Sequence, residues 1–128
     1  MVSIYAFFIQ KNMATQDIIA KQSDIKISVS LNAEKHPVNI SWKADDAGLE
    51  GAREAKSFML ALWDKADKST MRIDLWTTEM TVEEMQFFFY ETLASMADTY
   101  QRATNDEENA KEMREYARSF GKKVNVLK

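Results

Sequence analysis

Residues 72–106 read RIDLWTTEMTVEEMQFFFYETLASMADTYQRATND, and the change of rhythm inside them decides the fold. Up to Trp76 the chain alternates: Met71, Ile73 and Leu75 fall on one side, Arg72, Asp74 and Trp76 on the other, the period of a β-strand. From Met85 the spacing becomes three and four residues, with Phe88, Phe89, Thr92, Leu93, Met96, Ala97, Tyr100 and Ala103 forming one broad helical stripe. Phe88 and Phe89 are expected in the core. Phe87 lies off the stripe and Tyr90 at its edge, so these two either touch a second helix or lie at an interface. Between strand and helix stand Thr81 and Glu84, spaced as a capping box that satisfies two orphan N–H groups.

Downstream, Asn105 and Asp106 interrupt the helix, and Glu107 and Glu108 suit a new helix N-terminus. The second helix is expected over about 107–120, with Ala110, Met113, Tyr116, Ala117 and Phe120 inward and Gly121 as the residue just past its end. Upstream, Ile25, Ile27, Val29 and Leu31 alternate in DIKISVSL, and Val38, Ile40 and Trp42 in VNISWK. The intervening NAEKHP is a turn, and ADDAGLEG a loop holding two of the three glycines. AKSFMLALW and STMRIDLW form a hairpin around residues 64–69. The expectation is an α+β domain: a four-stranded antiparallel sheet with two C-terminal helices packed on one face, ββββαα.

The hairpin carries a tension. If Phe58, Leu60 and Leu62 share the buried side with Met71, Ile73 and Leu75, then Met59, Trp63, Arg72 and Trp76 fall on the opposite side. A solvated face does not ordinarily carry two tryptophans and a methionine. Met59, Trp63, Arg72 and Trp76, with Phe87 of the first helix, are therefore the candidate interaction surface, with Lys26, Lys43 and Asp74 as polar neighbours. The competing explanations are cover by a loop or by the N-terminal arm, or simple partial exposure of the rings.

Length and composition narrow the rest. A chain of 128 residues with 45% hydrophobic and 29% charged residues can bury one core but not two. Its formal charge of −3 offers no basic field for nucleic acid. The absence of cysteine removes disulfides, thiolate catalysis and thiolate metal sites. The apolar run Val2–Ile9 is too short to span a membrane and lacks the flanks of a signal peptide. Residues 1–20 are expected to be an extension, non-native or disordered, with Met13 as an alternative start, and residues 21–128 a single domain. The expected location is cytoplasmic, without membrane insertion.

No catalytic constellation stands out, so no enzymatic activity, cofactor or metal is expected. His36, the one histidine, sits in a turn with no partner suggested for general-base chemistry. Asp45, Asp46 and Glu50 share a glycine-containing loop but not the spacing of a calcium loop. Asp98, Arg102, Asn105 and Asp106 could form a polar network at the helix junction, for which capping and solvation of the helix face are the simpler account.

Three segments go beyond periodicity: RIDLWT, the helix start from Met80 to Met85, and SMADTYQRATND from Ser95 to Asp106. With SDIKISVSLN, ISWKADD and FMLALWD in order before them, the chain from Ser23 to Phe120 resembles the gliding-motility-associated GldC family. The resemblance implies a small bacterial protein without a recognised catalytic motif, an accessory to gliding motility that works through protein–protein contacts with gliding or envelope machinery. It transfers no catalytic or ligand residue. In strand and helix order the chain is also similar to the SecB export chaperone, which implies the alternative of a cytoplasmic holdase for export or envelope proteins. Either reading carries the expectation of a homo-oligomer, a dimer or larger. The eight methionines suit a promiscuous holdase, although Met71, Met85, Met96 and Met113 fall at expected core positions.

Overall fold

A computed structural model of the chain describes residues 17–128; the extension before them, with Val2–Ile9 and Met13, lies outside the described residues. The chain divides between Glu79 and Met80 into two compact units. The first is built of strands and the second of helices.

The first unit contains β1 (Ile25–Leu31), β2 (Pro37–Ala44), β3 (Arg53–Ala55), β4 (Ser57–Trp63) and β5 (Thr70–Trp76). All pairings are antiparallel, but they make two sheets, β1-β2-β3 and β4-β5, and not the single four-stranded sheet expected. The reason lies at Lys56. The stretch AKSFMLALW reads as one strand, yet the chain bends at Lys56 and changes ladder there. Ala55 pairs with Ile40 of β2, whereas the Lys56 carbonyl accepts from Thr77 N–H at 2.7 Å and Ser57 pairs with Trp76. The three residues of β3, Arg-Glu-Ala, are too few and too polar to show alternation.

Ile40 is the anchor of this unit. It is fully buried, the one large side chain so enclosed among the described residues, and lies between Val29 of β1 and Ala55 of β3. The turn before β2 is organised by Asn32, whose Oδ1 accepts from Glu34 N–H (2.9 Å) and His36 N–H (3.0 Å). A register shift between Ser30 and Leu31 sets Leu31 against Pro37, and Val38 is exposed. At the other end of β2, Asp45 and Asp46 hold the chain that leads into β1. Lys21 pairs with Asp46 at 2.7 Å, Ser23 Oγ donates to the same carboxylate, and Asp24 N–H reaches Asp45 at 3.2 Å. The acidic loop thus works as a local clasp, and no metal-binding group of three acidic or histidine residues exists among the described residues.

The second unit is an αα-hairpin of α1 (Val82–Thr104) and α2 (Glu107–Lys123). The capping box forms as the sequence predicts: Glu84 N–H donates to Thr81 Oγ1 at 3.0 Å and Thr81 N–H to Glu84 Oε1 at 3.1 Å. The buried residues of the two helices, Ala97, Ala110, Ala117 and Gly121, are all small. Small residues let two helix backbones approach closely.

Gly121 corrects an expectation. It does not end α2, which runs on to Lys123 with Val124 as its cap, while the left-handed conformation falls to Asn125 (φ 65°). A Cβ at position 121 would stand 2.7 Å from Cδ1 of the Tyr90 ring, so glycine is needed for space and not for backbone freedom. Tyr90 therefore belongs to the contact with α2, as one of its two readings held. Phe89 and Met96 are instead exposed, as are Met71 of β5 and Tyr116 of α2. The helical stripe is broader than the seam with α2, and periodicity cannot say which part of a stripe is covered.

Candidate functional site

The candidate surface is set by the β4–β5 register. From the hairpin tip inward the cross-strand pairs are Trp63↔Thr70, Ala61↔Arg72, Met59↔Asp74 and Ser57↔Trp76. Directly paired residues share a face, so Met59, Trp63, Arg72 and Trp76 lie on one side, as the parity of the sequence predicts. Six residue steps separate Ser57 from Trp63, which spreads the two indoles over about 20 Å. Trp63 is 69% exposed and Trp76 58%, while Met59 is half-buried. Between the indoles, Arg72 grips Asp74 in a two-pronged pair, Nε to Oδ2 at 3.1 Å and Nη2 to Oδ1 at 2.9 Å. Lys26 and Lys43 do not join this ladder; they are cross-strand partners of each other in the first sheet.

The opposite face departs from expectation. Phe58, Leu60 and Leu75, toward the Lys56 end, are half-buried, but Leu62, Met71 and Ile73 are more than half exposed. Burial fades toward the hairpin tip, so the outer part of this two-stranded ribbon is apolar and open on both faces. Isolated two-stranded ribbons are marginal in water.

Phe87 belongs to the helical unit. It is 46% exposed and its ring meets Tyr90 edge-on, with centroids 6.3 Å apart and planes at 65°.

Two features were not read from the sequence. One is an apolar cleft of 480 Å³ in the strand unit, lined by Ile25, Ile27 and Trp42 of the first sheet and Phe58, Leu60 and Leu62 of β4. Consecutive residues of β4 line it, so the strand presents its backbone edge there as well as side chains. The other is Thr77, 2% exposed, with no hydrogen-bond partner for its hydroxyl among the described residues. Both depend on how the chain turns at Lys56, for which no local signal exists.

The run MADTYQRATND turns out to lock the helical hairpin. Asp98 receives Arg114 of α2 (Nη2 at 2.8 Å), and the same guanidinium donates to Gln101 Oε1 at 2.7 Å. Asn105 takes the left-handed conformation (φ 59°) and its N–H returns to the Gln101 carbonyl, ending α1. Asp106 then caps α2: Oδ1 accepts from Asn109 N–H at 3.1 Å, and Oδ2 from Asn109 Nδ2 and the Tyr100 hydroxyl, each at 2.7 Å. Arg102 is exposed. Capping, the simpler account of this junction, describes most of it.

This cap predicts a pH dependence. Asn109's side chain, then the Tyr100 hydroxyl and Asn109 N–H, favour the ionised Asp106 and hold its carboxyl below the ordinary value of 3.8. Hydrogen bonding to Asp106 raises the Tyr100 phenol above 10.0. A depressed carboxylate contributes stability that is present above 3.8 and lost as pH falls below it; a raised phenol contributes stability present below 10.0 and lost above it. Asp106→Asn keeps a capping side chain but removes the titration. Its melting temperature, compared with that of the parent chain, should fall less steeply on acidification. Superimposable acid limbs would refute the assignment.

The strands and the helical hairpin define an α+β protein, and its strand unit carries an exposed aromatic ribbon. A family model described as "Gliding motility-associated protein GldC-like" matches residues 37–126. The chain belongs to that family, and the match runs from the start of β2 to beyond the end of α2. No curated protein and no solved structure matches the chain. Among the described residues no helix is long and apolar enough to cross a membrane.

Proposed function

We propose that the chain is a non-catalytic accessory protein of bacterial gliding motility, cytoplasmic and homo-oligomeric, that acts by protein–protein contact through the Trp63–Trp76 face. Family membership supplies the link to motility. The observation that carries the contact role is the ribbon itself: two exposed tryptophans flank a charge-neutral Arg72–Asp74 pair. Tryptophan, methionine and arginine, all present on this face, are residue types that protein interfaces enrich.

Trp76→Lys tests it. At 58% exposure the substitution should leave the circular dichroism spectrum and melting temperature close to those of the parent. It should also abolish stoichiometric capture of one or two motility or envelope proteins by the tagged chain from its own cells. Loss of folding would place Trp76 in the core and end this reading of the face.

The apolar cleft beside β4 supports a second reading, a SecB-like holdase, because an open strand edge with apolar walls suits an extended unfolded chain. Exposed Met71 of the same unit is a further adaptable apolar side chain. Capture of many unfolded secretory proteins, together with suppression of their aggregation in vitro, would favour this reading over a dedicated partner.

A further inference from the structure

The outer edge of β5 is complementary to itself. We infer that two copies of the chain pair antiparallel along β5, centred on Ile73, so that Arg72 of each faces Asp74 of the other and the two ribbons join as β4-β5-β5-β4. The inference rests on the proposal of self-association made above and specifies its surface and register.

The first support is the direction of the backbone groups. Asp64 N–H donates to the Ser69 carbonyl at 2.8 Å, and Thr77 N–H to the Lys56 carbonyl at 2.7 Å. Antiparallel ladders alternate hydrogen-bonded and non-hydrogen-bonded pairs. Counting along the register from either end, Met71, Ile73 and Leu75 turn their N–H and C=O groups toward β4. Thr70, Arg72, Asp74 and Trp76 turn theirs outward, where no strand pairs with them among the described residues. Beyond Trp76 the edge is closed, because Thr78 N–H donates to the Pro37 carbonyl at 3.1 Å. Among the described residues, the stretch with no strand beside it is therefore β5 itself, with His36 and Pro37 standing near its Asp74–Trp76 end.

The second support is charge. A two-fold pairing must set outward residues against outward residues, which leaves only alternate registers. Centring on Arg72 or on Asp74 places like charges directly opposite. Centring on Ile73 sets Arg72 against Asp74 twice and Thr70 against Trp76 twice. The Arg72–Asp74 pair inside each strand then becomes half of a square of alternating charges. Opposite charges across a ladder stabilise it and like charges disfavour it, so the pattern selects one register.

The third support is the kind of protection the edge carries. Exposed edges are ordinarily blunted by charged side chains, lysine above all, by proline or by a bulge. Thr70–Trp76 contains no proline or lysine and pairs with β4 without a register shift. Its two charges, Arg72 and Asp74, are opposite in sign, so they repel a copy in some registers and attract it in the one centred on Ile73. Pairing would also extend the open apolar face of Leu62, Met71 and Ile73 across both copies.

The test is sedimentation velocity of the purified full chain and its charge reversals over a concentration series. The parent chain should dimerise. Arg72→Asp sets carboxylates against carboxylates, and Asp74→Arg sets guanidinium groups against each other; each variant alone should dissociate about tenfold or more readily. An equimolar mixture of the two restores opposite charges at both positions and should form a heterodimer, which weakens at high salt. That rescue separates pairing from misfolding, since a misfolded variant would not regain a partner on mixing. A monomeric parent chain, with or without a foreign strand on this edge, would overturn both the pairing and self-association. An oligomer indifferent to both reversals, or folded reversals that fail to combine, would overturn this register while leaving self-association standing.

Discussion

Replacing Ile40 by alanine is expected to destabilise the strand unit by about 2–5 kcal/mol, the largest effect of any truncation in that unit. Ile40 is fully buried at the centre of the three-stranded sheet, between Val29 and Ala55 across its two ladders, and it borders the apolar cleft with Ile27, Trp42, Phe58 and Leu60. Truncation forfeits the buried side chain and widens the cleft beside it, so a cavity term adds to the lost transfer free energy. Leu62→Ala, at an exposed position of β4, should cost much less. Urea unfolding of the two variants, read by tryptophan fluorescence, supplies the comparison. A loss below about 1 kcal/mol for Ile40→Ala would mean that the core of this unit lies elsewhere.

Ala97→Leu is expected to be the most damaging single change in the helical hairpin, costing about 1–3 kcal/mol. Ala97 is fully buried, and the other enclosed positions of the hairpin are Ala110, Ala117 and Gly121. A seam built of such residues holds the helices close and leaves no room for an isobutyl group without parting them. Leucine is a good helix former, so intrinsic propensity does not account for a loss. Ala103→Leu in the same helix supplies the control: position 103 is exposed, and the added side chain meets only water. Thermal melting followed at the helical ellipticity should separate the two variants clearly. Equal melting temperatures would refute the close seam.

Much of this chain was legible before any coordinates. Alternation identified β1, β2 and the β4–β5 hairpin, and parity alone placed Met59, Trp63, Arg72 and Trp76 on a common face. Thr81 and Glu84 marked the start of α1, and Asn105–Asp106 marked its end, because caps are local chemistry: a side chain two or three residues away satisfies an orphan backbone group. The helical stripe was legible too, but it misplaced Phe89, Met96 and Tyr116, which carry the right spacing and still face solvent. The same limit applied to the hairpin, where the supposedly buried side opens at Leu62, Met71 and Ile73.

The sequence by itself determined which residues share a face, where helices begin and end, and which family the chain resembles. Only the tertiary structure decided that the third strand of the reading breaks at Lys56 into two ladders, and that Gly121 is required by the ring of Tyr90. It alone showed the ribbon open on both sides. Periods of about 2 and about 3.6 residues are properties of the backbone and are written in adjacent positions. What covers a face, and how close it comes, depends on residues distant in the chain, and no local pattern carries that distance.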